Sequence, residues 1–471
     1  MAPRQPSCRA TLSAPRKLPR MLSAQAFLSI FVAFSLLPVI LGATAYLILL
    51  ERKVAAWAQD RIGPNRTDFS FGQSDLLELY PTLGKAVRAI PGFNFLAKKR
   101  AFGLGQALAD GLKLFVKEDY TPPFVDLRLF LLAPVLAVIP AMIGWAVIPW
   151  GGMWAFPGIE LFGWQLVAPS PVDPATGLVE AARVAVLPIS VGVVYLLAVS
   201  SLAVYGVVLA GFSSNNKFAF LGGLRATAQM LSYEIPMGVC VLIMILMYRT
   251  ADTEAMVQGQ LSAGWFGLSE VWGVLMHPLL AVIFFVCVLA ECNRAPFDLA
   301  EAEQELVGGF HTEYSSMKWA LFFLGEYIHM ITGSAFIVLM FFGGWELPFL
   351  HVFPSVAQGW LEGILVVSLK MGVFMAKVAL VLFAMMWVRW TLPRFRFDQL
   401  MRLAWRGMIP LVLVMLLVVG LMVWAGLTAW WMFTLANAAV VAGALLLSPL
   451  LPEGPKVNRK VPLAGSRFSP A

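Results

Sequence analysis

The chain has 471 residues, of which 59% are hydrophobic and only 13% are charged. An average soluble domain is about 25% charged, so this composition excludes a soluble protein. Several apolar runs reach twenty residues or more, the length of helix that crosses a hydrocarbon core of about 30 Å. The sequence therefore predicts an all-α, polytopic membrane protein, because a β-barrel would show short segments of alternating polarity.

The formal net charge of +7 comes from basic residues that cluster in a few loops. This pattern indicates membrane topology and contact with anionic lipids, and it argues against nucleic-acid binding. The four cysteines form no CxxC pair, and the four histidines form no HExxH motif. We therefore expect no metal site and no covalently bound cofactor in this chain, so that any electrons near it would be carried by another subunit.

Eight or nine membrane spans are expected, because the last apolar stretch, 430–450, is long enough for a ninth. The basic residues fall mainly in the odd-numbered loops, which the positive-inside rule places on the cytoplasmic side. Residues 1–23 are expected to be a disordered basic tail, with an address segment or a true start at Met21 as alternatives. A single transmembrane domain (24–451) and a polar tail (452–471) follow. The predicted spans are 24–50, 127–149, 184–211, 219–248, 271–290, 317–343, 361–388, 409–427 and 430–450.

The long polar section after the first span contains an amphipathic segment, GLGQALADGLKLFVKED (103–119). Its period predicts a helix that lies in the membrane interface, with its apolar side towards the lipid. Considered alone, Asp110 and Lys113 are expected on the wet face of this helix. By similar reasoning, Glu51-Arg52-Lys53 is expected to end the first span, and RIGPNR (61–66) to form a turn with two phosphate-binding arginines. The apolar side carries Leu104, Leu108, Leu112, Phe115 and Val116.

An acidic loop separates the fifth and sixth predicted spans. Only Arg294 and Lys318 stand near its six carboxylates as counter-charges. Like charges repel and partial burial raises carboxylate pKa values, so some of these groups could hold a proton near neutral pH and serve a proton relay. A solvated loop that contacts a basic partner is an equally good interpretation, and a divalent metal site lacks supporting His or Asn residues. The six are Glu291, Asp298, Glu301, Glu303, Glu305 and Glu313.

Within the acidic loop the sequence predicts a further short helix. Asp298 and Glu301 are expected to cap its start, and the following glycine pair to end it. On such a helix, Glu301 and Glu305 would lie one turn apart on one face, and Glu303 would point away.

Two carboxylates lie inside otherwise apolar spans. Glu234 follows Arg225 by nine residues, so the two point to opposite sides of the fourth span, and each needs a partner on another helix or a water. Glu326 repeats this arrangement in the sixth span, with His329 one turn on. An intramembrane acid is a functional candidate by default, and a structural hydrogen bond is the simpler alternative.

Seven runs of the sequence carry a resemblance that spacing alone does not show. They are ERK (51–53), RIGPNR (61–66), GLGQALADGLKLFVKED (103–119), FSSNNKFAFLGGLRATAQMLSYE (212–234), RAPFDLAEAEQELVGGFHTEYSSMKWALFFLGEYIH (294–329), FFGGW (341–345) and LPRFRFDQLM (392–401). In this order, and over most of the spans, the chain resembles the membrane subunit of respiratory complex I that is called the H subunit in bacteria and subunit 1 in mitochondria.

The resemblance implies a place where the membrane arm of an NADH:quinone oxidoreductase meets its hydrophilic arm. Ubiquinone or menaquinone would enter a chamber lined partly by this subunit, whereas iron–sulfur clusters, FMN and NADH would bind only to partner subunits. Carried over by motif, the chamber residues would be Glu51, Arg52, Asp110, Lys113, Arg294, Glu301 and Glu303. The inward proton relay would be Glu234, Glu291, Glu305 and Glu326, and the docking loop would contain Arg61 and Arg66.

The chain also departs from that family's pattern. About thirty residues, 73–102, are an addition that we expect on the cytoplasmic surface, in contact with a partner subunit or lipid headgroups. The chain is expected to be an integral subunit of an NADH:quinone oxidoreductase, and the isolated chain is expected to have no activity. The expected location is a bacterial inner membrane, with a mitochondrial inner membrane as the weaker alternative. The other candidates are a membrane subunit of an energy-converting hydrogenase and a stand-alone ion transporter, against which the lack of internal repeats argues.

Overall fold

The computed structural model describes residues 23–65, 103–161, 164–171, 181–261, 271–301, 303–347, 353–354, 356–427 and 429–447. Within these ranges, eight helices are long and apolar enough to cross a membrane, and a ninth apolar helix is shorter. The prediction of an all-α, polytopic membrane protein is confirmed. We number the shorter helix, Pro278–Glu291, as the fifth span. With it, the spans in chain order are Ala24–Ala58, Leu127–Val147, Gly192–Ser213, Lys217–Tyr248, Pro278–Glu291, Ser316–Phe341, Leu361–Thr391, Phe397–Trp424 and Trp430–Leu447.

The helix ends differ from the predicted ones at four places, one of which is the third span, which begins at Gly192, eight residues late. The first span continues to Ala58, about two turns beyond the predicted end. A kink at His277 divides the fifth predicted span, because Pro278 has no N–H to continue the helical hydrogen bonds. The eighth span begins at Phe397, twelve residues early, and includes a π-helical segment. The shorter helices are Gly105–Val116 (the interfacial helix), Thr253–Leu261, Gly273–Met276 and Glu303–Leu306, and the 3₁₀ turn is Gly309–His311.

Polar side chains set the start of two spans. Asp126 accepts hydrogen bonds from the main-chain N–H groups of Arg128 and Leu129, at 3.2 and 3.4 Å. Asn216 accepts one from Phe218 at 2.9 Å. These bonds satisfy N–H groups that have no partner in the first turn of a helix.

Glycines bring the acidic loop against the fourth span. A Cβ atom on Gly222 would lie 2.8 Å from the Cα atom of Gly309, closer than real carbon atoms approach. Gly309 also has a φ of +62°, a conformation that side chains disfavour. The loop can therefore pack directly on the helix backbone, and this contact positions the carboxylates that follow the fifth span.

The even-numbered connections carry five short strands. Met153–Ala155 pairs with Ala182–Arg183 in antiparallel and with Val356–Gln358 in parallel orientation. Ile159–Leu161 pairs with Trp164–Val167 as an antiparallel hairpin. The sequence did not predict these strands. Their pairing gives hydrogen-bond partners to backbone groups of segments that are not helical. They tie the second and sixth connections together at one end of the molecule, which is called the outer end below.

Three predicted features fall largely outside the described residues. They are the basic tail (1–23), of which only Ser23 is described, the addition at 73–102 and the polar tail (452–471).

Candidate functional site

Glu51 is a buried carboxylate at the end of the molecule where the odd-numbered connections lie, and it is 6% exposed. Its carboxylate accepts hydrogen bonds from the Tyr327 hydroxyl and the Arg389 guanidinium. The guanidinium of Arg294 lies 3.9 Å away. The expectation that Glu51-Arg52-Lys53 ends the first span is wrong, because the helix continues to Ala58 and Glu51 has its partners inside the fold.

Arg294 links this acid to a second one. It is 4% exposed, and its Nη2 atom lies 3.4 Å from the carboxylate of Glu326. Its guanidinium also lies over the ring of Tyr327, 4.3 Å from the centroid. Burial alone would lower the pKa of Arg294, but Tyr327 and the carboxylates of Glu326 and Glu51 raise it. One buried cation therefore stands between the buried Glu51 and the partly buried Glu326.

Two adjoining cavities lie beside these charges. The larger, of about 550 Å³, has Glu51, Tyr327 and Arg389 in its wall. The smaller, of about 370 Å³, lies between the interfacial helix and the sixth span. Arg52 and Phe323 line both cavities and thus stand at the boundary between them. Both volumes are within the range of about 300–1,000 Å³ that is typical of small-molecule pockets.

The interfacial helix supplies the polar wall of the smaller cavity. Asp110 forms an ion pair with Arg52 at 2.9 Å, and Lys113 lines the same cavity. The expectation that Asp110 merely faces water is therefore wrong, because the helix turns this carboxylate towards the first span. The other side of the helix is exposed, with Phe115 at 74%, as an apolar face in contact with lipid requires.

The acidic loop forms less helix than the sequence predicts. Among the loop residues that the structure describes, one turn, Glu303–Leu306, is α-helical, and Glu301 lies before it. The carboxylate of Glu301 is 3.4 Å from Nε2 of His311, whereas Glu305 pairs with Arg225 at 2.6 Å. The prediction that Glu301 and Glu305 share one helix face is therefore wrong, because ion pairs with distant residues override the local helical preference.

Burial shifts the pKa values of the charged groups in this loop. Burial and the charge of Glu301 raise the pKa of Asp298 to about 6, although Arg394 opposes the shift. The Arg394 guanidinium lies 2.7 Å from that carboxylate. Burial also opposes ionisation of both Glu301 and His311, but their mutual hydrogen bond and attraction lower the pKa of Glu301 and raise that of His311. The loop thus combines a stabilised ion pair with a carboxyl group that can take up a proton just below neutral pH.

A small cavity of about 40 Å³ brings two of the predicted relay acids together. Glu291 and Glu326 both line it. His329 lines it as well, and its Nε2 atom lies 3.2 Å from the Glu291 carboxylate. Because one water needs about 10–15 Å³, this cavity has room for water between the two acids.

The other two predicted relay acids lie elsewhere. Glu234 accepts a hydrogen bond from Ser201 on the third span, so its expected partner on another helix is confirmed. The same expectation for Arg225 is confirmed by its ion pair with Glu305, whose side chain is 50% exposed. The four acids therefore occupy at least two separate environments.

Two predicted site residues cannot be placed. Arg66 and the side chain of Glu303 lie outside the described part of the chain. Arg61 is described and lines the larger cavity. Among the described residues, no group of three or more His, Cys, Asp and Glu side chains is arranged to hold a metal ion.

Sequence reasoning missed the partners of the key carboxylates. Tyr327 follows an intramembrane acid directly, and this neighbourhood was the only local signal for it. Arg389 is in the last turn of the seventh span, and in the sequence it and Arg394 are simply two of the basic residues near an odd-numbered loop. Their roles depend on contacts between distant segments, which spacing within one helix cannot show.

Known proteins with similar sequences cover most of the chain. A family profile described as NADH dehydrogenase matches residues 30–420. The chain is 39% identical over 384 residues to an H subunit of the NADH-quinone oxidoreductase of Geobacter sulfurreducens, covering 82% of this chain and 91% of that protein. It is 41% identical over 378 residues to the H subunit of the Leptospira biflexa enzyme, covering 80% and 89%. It is 39% identical over 394 residues to the H subunit of the Rhodospirillum rubrum enzyme, covering 84% and 90%.

Proposed function

The chain belongs to the NADH dehydrogenase family, with H subunits of NADH-quinone oxidoreductase among its relatives, and from this premise we propose that its two adjoining cavities receive the quinone. The isolated chain would catalyse nothing, because electrons would arrive from an iron–sulfur cluster of a partner subunit. Ubiquinone and menaquinone both satisfy the chemistry described below.

The observation that supports the proposal best is the mixed wall of the larger cavity. A quinone combines carbonyl oxygens, which accept hydrogen bonds, with an apolar tail. Arg389 and Arg52 supply N–H donors, and Ile48 and Phe323 supply apolar surface. Pockets that bind small molecules are commonly built from such apolar walls with a few polar groups.

The buried charges suggest how reduction would be linked to proton movement. Reduction of a quinone to the quinol adds two electrons and two protons, so negative charge develops in the chamber before protons arrive. That charge would attract Arg294 and weaken its interaction with Glu326. A buried carboxylate that loses its counter-charge favours the protonated form. Glu326 would then take up a proton and exchange it with Glu291 through the small cavity that both acids line.

The remaining residues have roles within the same proposal. Asp110 and Lys113 would hold the polar wall near the entrance, and the Glu301–His311 pair would belong to the deeper part of the chamber. Glu234 would continue the relay into the membrane arm, and the loop with Arg61 would dock against the hydrophilic arm. The membrane would be a bacterial inner membrane, with the chamber on the cytoplasmic side, where the positive-inside rule places the odd-numbered connections.

This proposal is tested by a substitution that fills space where the two cavities meet. Phe323→Trp, in the assembled enzyme, should raise the quinone KM about tenfold, because the larger ring occupies space in both cavities. NADH oxidation with a water-soluble electron acceptor should remain unchanged. Phe383→Trp, at an exposed aromatic position of the seventh span, is the matched control. A quinone KM that matches the control would contradict a quinone site here, and co-purification with a nickel–iron subunit would favour the hydrogenase alternative.

A further inference from the structure

A second group of buried charges lies at the outer end. It comprises Arg183, Asp252, Glu254, Glu346 and Lys370, and we call it the outer cluster. Glu254 is 2% exposed, and Glu346 and Lys370 are each 1% exposed. Four of its members come from the second, fourth and sixth connections, and Lys370 comes from the seventh span. Buried ionisable residues in a membrane protein mark functional sites more often than ordinary packing.

The outer cluster is far from the proposed quinone chamber. Lys370 and Arg389 lie on one continuous helix, nineteen residues apart. At about 1.5 Å per residue, this spacing corresponds to about 28 Å along the helix axis. Because the hydrocarbon core is about 30 Å thick, the two groups of charges stand near opposite membrane surfaces.

Glu254 differs from its acidic neighbour in its partners. Asp252 forms an ion pair with Arg183 at 2.6 Å. Glu254 forms no ion pair within the described residues, and its Oε2 atom has no hydrogen-bond partner there. The ammonium group of Lys370 donates to the main-chain oxygen of Pro354 at 2.7 Å. A buried carboxylate without a direct counter-charge is costly, and binding a proton removes that cost.

The charges that face Glu254 leave it poised to titrate. Burial raises its pKa to about 7, and the charge of Asp252 adds to this shift. Arg183, Lys370 and a hydrogen bond with Gln258 act in the opposite direction. A further cation, Lys377, donates to main-chain oxygens that include that of Glu346. The Arg183 side chain is 32% exposed, so the Arg183–Asp252 pair is the side of the cluster that meets water.

We propose that Glu254 is a proton-exchange site for the outer aqueous phase, on the membrane side opposite the quinone chamber. Deprotonation breaks the O–H bond of the carboxyl group, leaves a carboxylate facing Lys370, and releases the proton to water beside Asp252 and Arg183. Protonation reverses these changes. The step needs no electron donor or acceptor, and it does not depend on where quinone binds.

The test uses infrared difference spectra of the whole enzyme in lipid vesicles, recorded between about pH 6 and about pH 8, on either side of the pKa of about 7. The wild type should lose a protonated-carboxyl band over this interval. Glu254→Gln should lack the band and keep the rate of quinone reduction. Glu362→Gln, which changes an exposed acid at the outer start of the seventh span, should keep the band.

Lys370→Met provides an independent check, should Glu254→Gln fail to assemble. Removing this cation should move the band to higher pH, because Lys370 favours the ionised form of Glu254. The proposal would be overturned by a band that persists in Glu254→Gln, by its absence from the wild type, or by an unchanged position in Lys370→Met. Loss of quinone reduction in Phe323→Trp bears only on the chamber, so the two proposals can fail separately.

Discussion

A group of charged side chains from distant segments lies at each end of the seventh span. The acids in the two groups differ in how closely their positive partners approach. At the chamber end, Glu51 has direct contacts with Arg389 and Tyr327 and lies beside an open cavity. At the outer end, Glu254 is more deeply buried and its cations act from a distance. Both acids come from segments that meet only in the folded chain.

The difference shows that burial alone does not decide what a membrane carboxylate can do. An acid with direct donors holds the side chains around it in place, which suits a wall that faces a polar headgroup. An acid with distant cations can change its protonation state at little cost, which suits proton exchange. Substitutions at the two ends should therefore differ in their effect on quinone reduction.

The largest effect is expected at Arg294. Arg294→Gln would leave the carboxylates of Glu51 and Glu326 buried beside a neutral group, and breaking a buried ion pair from one side costs about 3–5 kcal/mol. The yield of assembled enzyme and its unfolding temperature should both fall sharply. Arg294→Lys, which keeps the charge, should retain part of the stability. Equal yields of wild type and Arg294→Gln would contradict a central role for this cation.

A second prediction compares quinone reduction after substitution of Glu51 and of Glu254. Glu51→Gln should reduce the rate of quinone reduction about tenfold, which corresponds to about 1.4 kcal/mol, because it weakens the placement of Arg389 and Tyr327. Glu254→Gln should leave that rate unchanged. Steady-state kinetics of the two variants, assembled to similar yield, measure the contrast. Similar losses in both would remove the distinction between the two ends.

The Glu301–His311 pair should make stability depend on pH. The lowered pKa of Glu301 adds stability that is lost as pH falls below its ordinary value of 4.5. The raised pKa of His311 adds stability that is present below its ordinary value of 6.5 and lost as pH rises through the raised value. The pair should thus stabilise the fold most between about pH 4.5 and about pH 6.5.

His311→Gln tests this pH dependence directly. The unfolding temperature of the variant should fall below that of the wild type by more at about pH 5.5, where the wild-type histidine is charged, than at alkaline pH above its raised pKa, where that charge is lost. A difference that is the same at both pH values would show that His311 acts through packing alone.

The smallest effect is expected at Glu305. Its ion pair with Arg225 has a short distance of 2.6 Å, but the Glu305 side chain is 50% exposed. Pairs of this kind contribute about 0–1 kcal/mol, because water screens them. Glu305→Gln should therefore change the unfolding temperature little. If it nevertheless abolished proton pumping, Glu305 would belong to the relay in spite of its exposure.

The sequence predicted the spans well because each needs only a local property, a run of apolar residues long enough to cross the membrane. The lone acid Glu234 was also identified correctly as needing a partner on another helix. The acidic loop was predicted less well, since Glu301 and Glu305 follow ion pairs with His311 and Arg225 and not the period of a helix.

Contacts between distant segments account for the rest. The partners of Glu51 lie 276 and 338 residues away in the chain, so no spacing rule could connect them. The outer cluster was missed for the same reason, because Glu254 lies in the fourth connection and Lys370 lies inside the seventh span. Such sites become visible only when the buried charges of the folded molecule are compared.

Photoaffinity labelling of the intact enzyme with an azido-quinone tests the central claim most directly, that the cavities beside Glu51 receive the quinone. Labelled peptides, mapped by mass spectrometry, should come from the first span near Ile48 and from the sixth span near Phe323, because both residues line the two cavities. Excess natural quinone should prevent this labelling. Labelling confined to the eighth or ninth span, or unaffected by competing quinone, would contradict the assignment of the chamber.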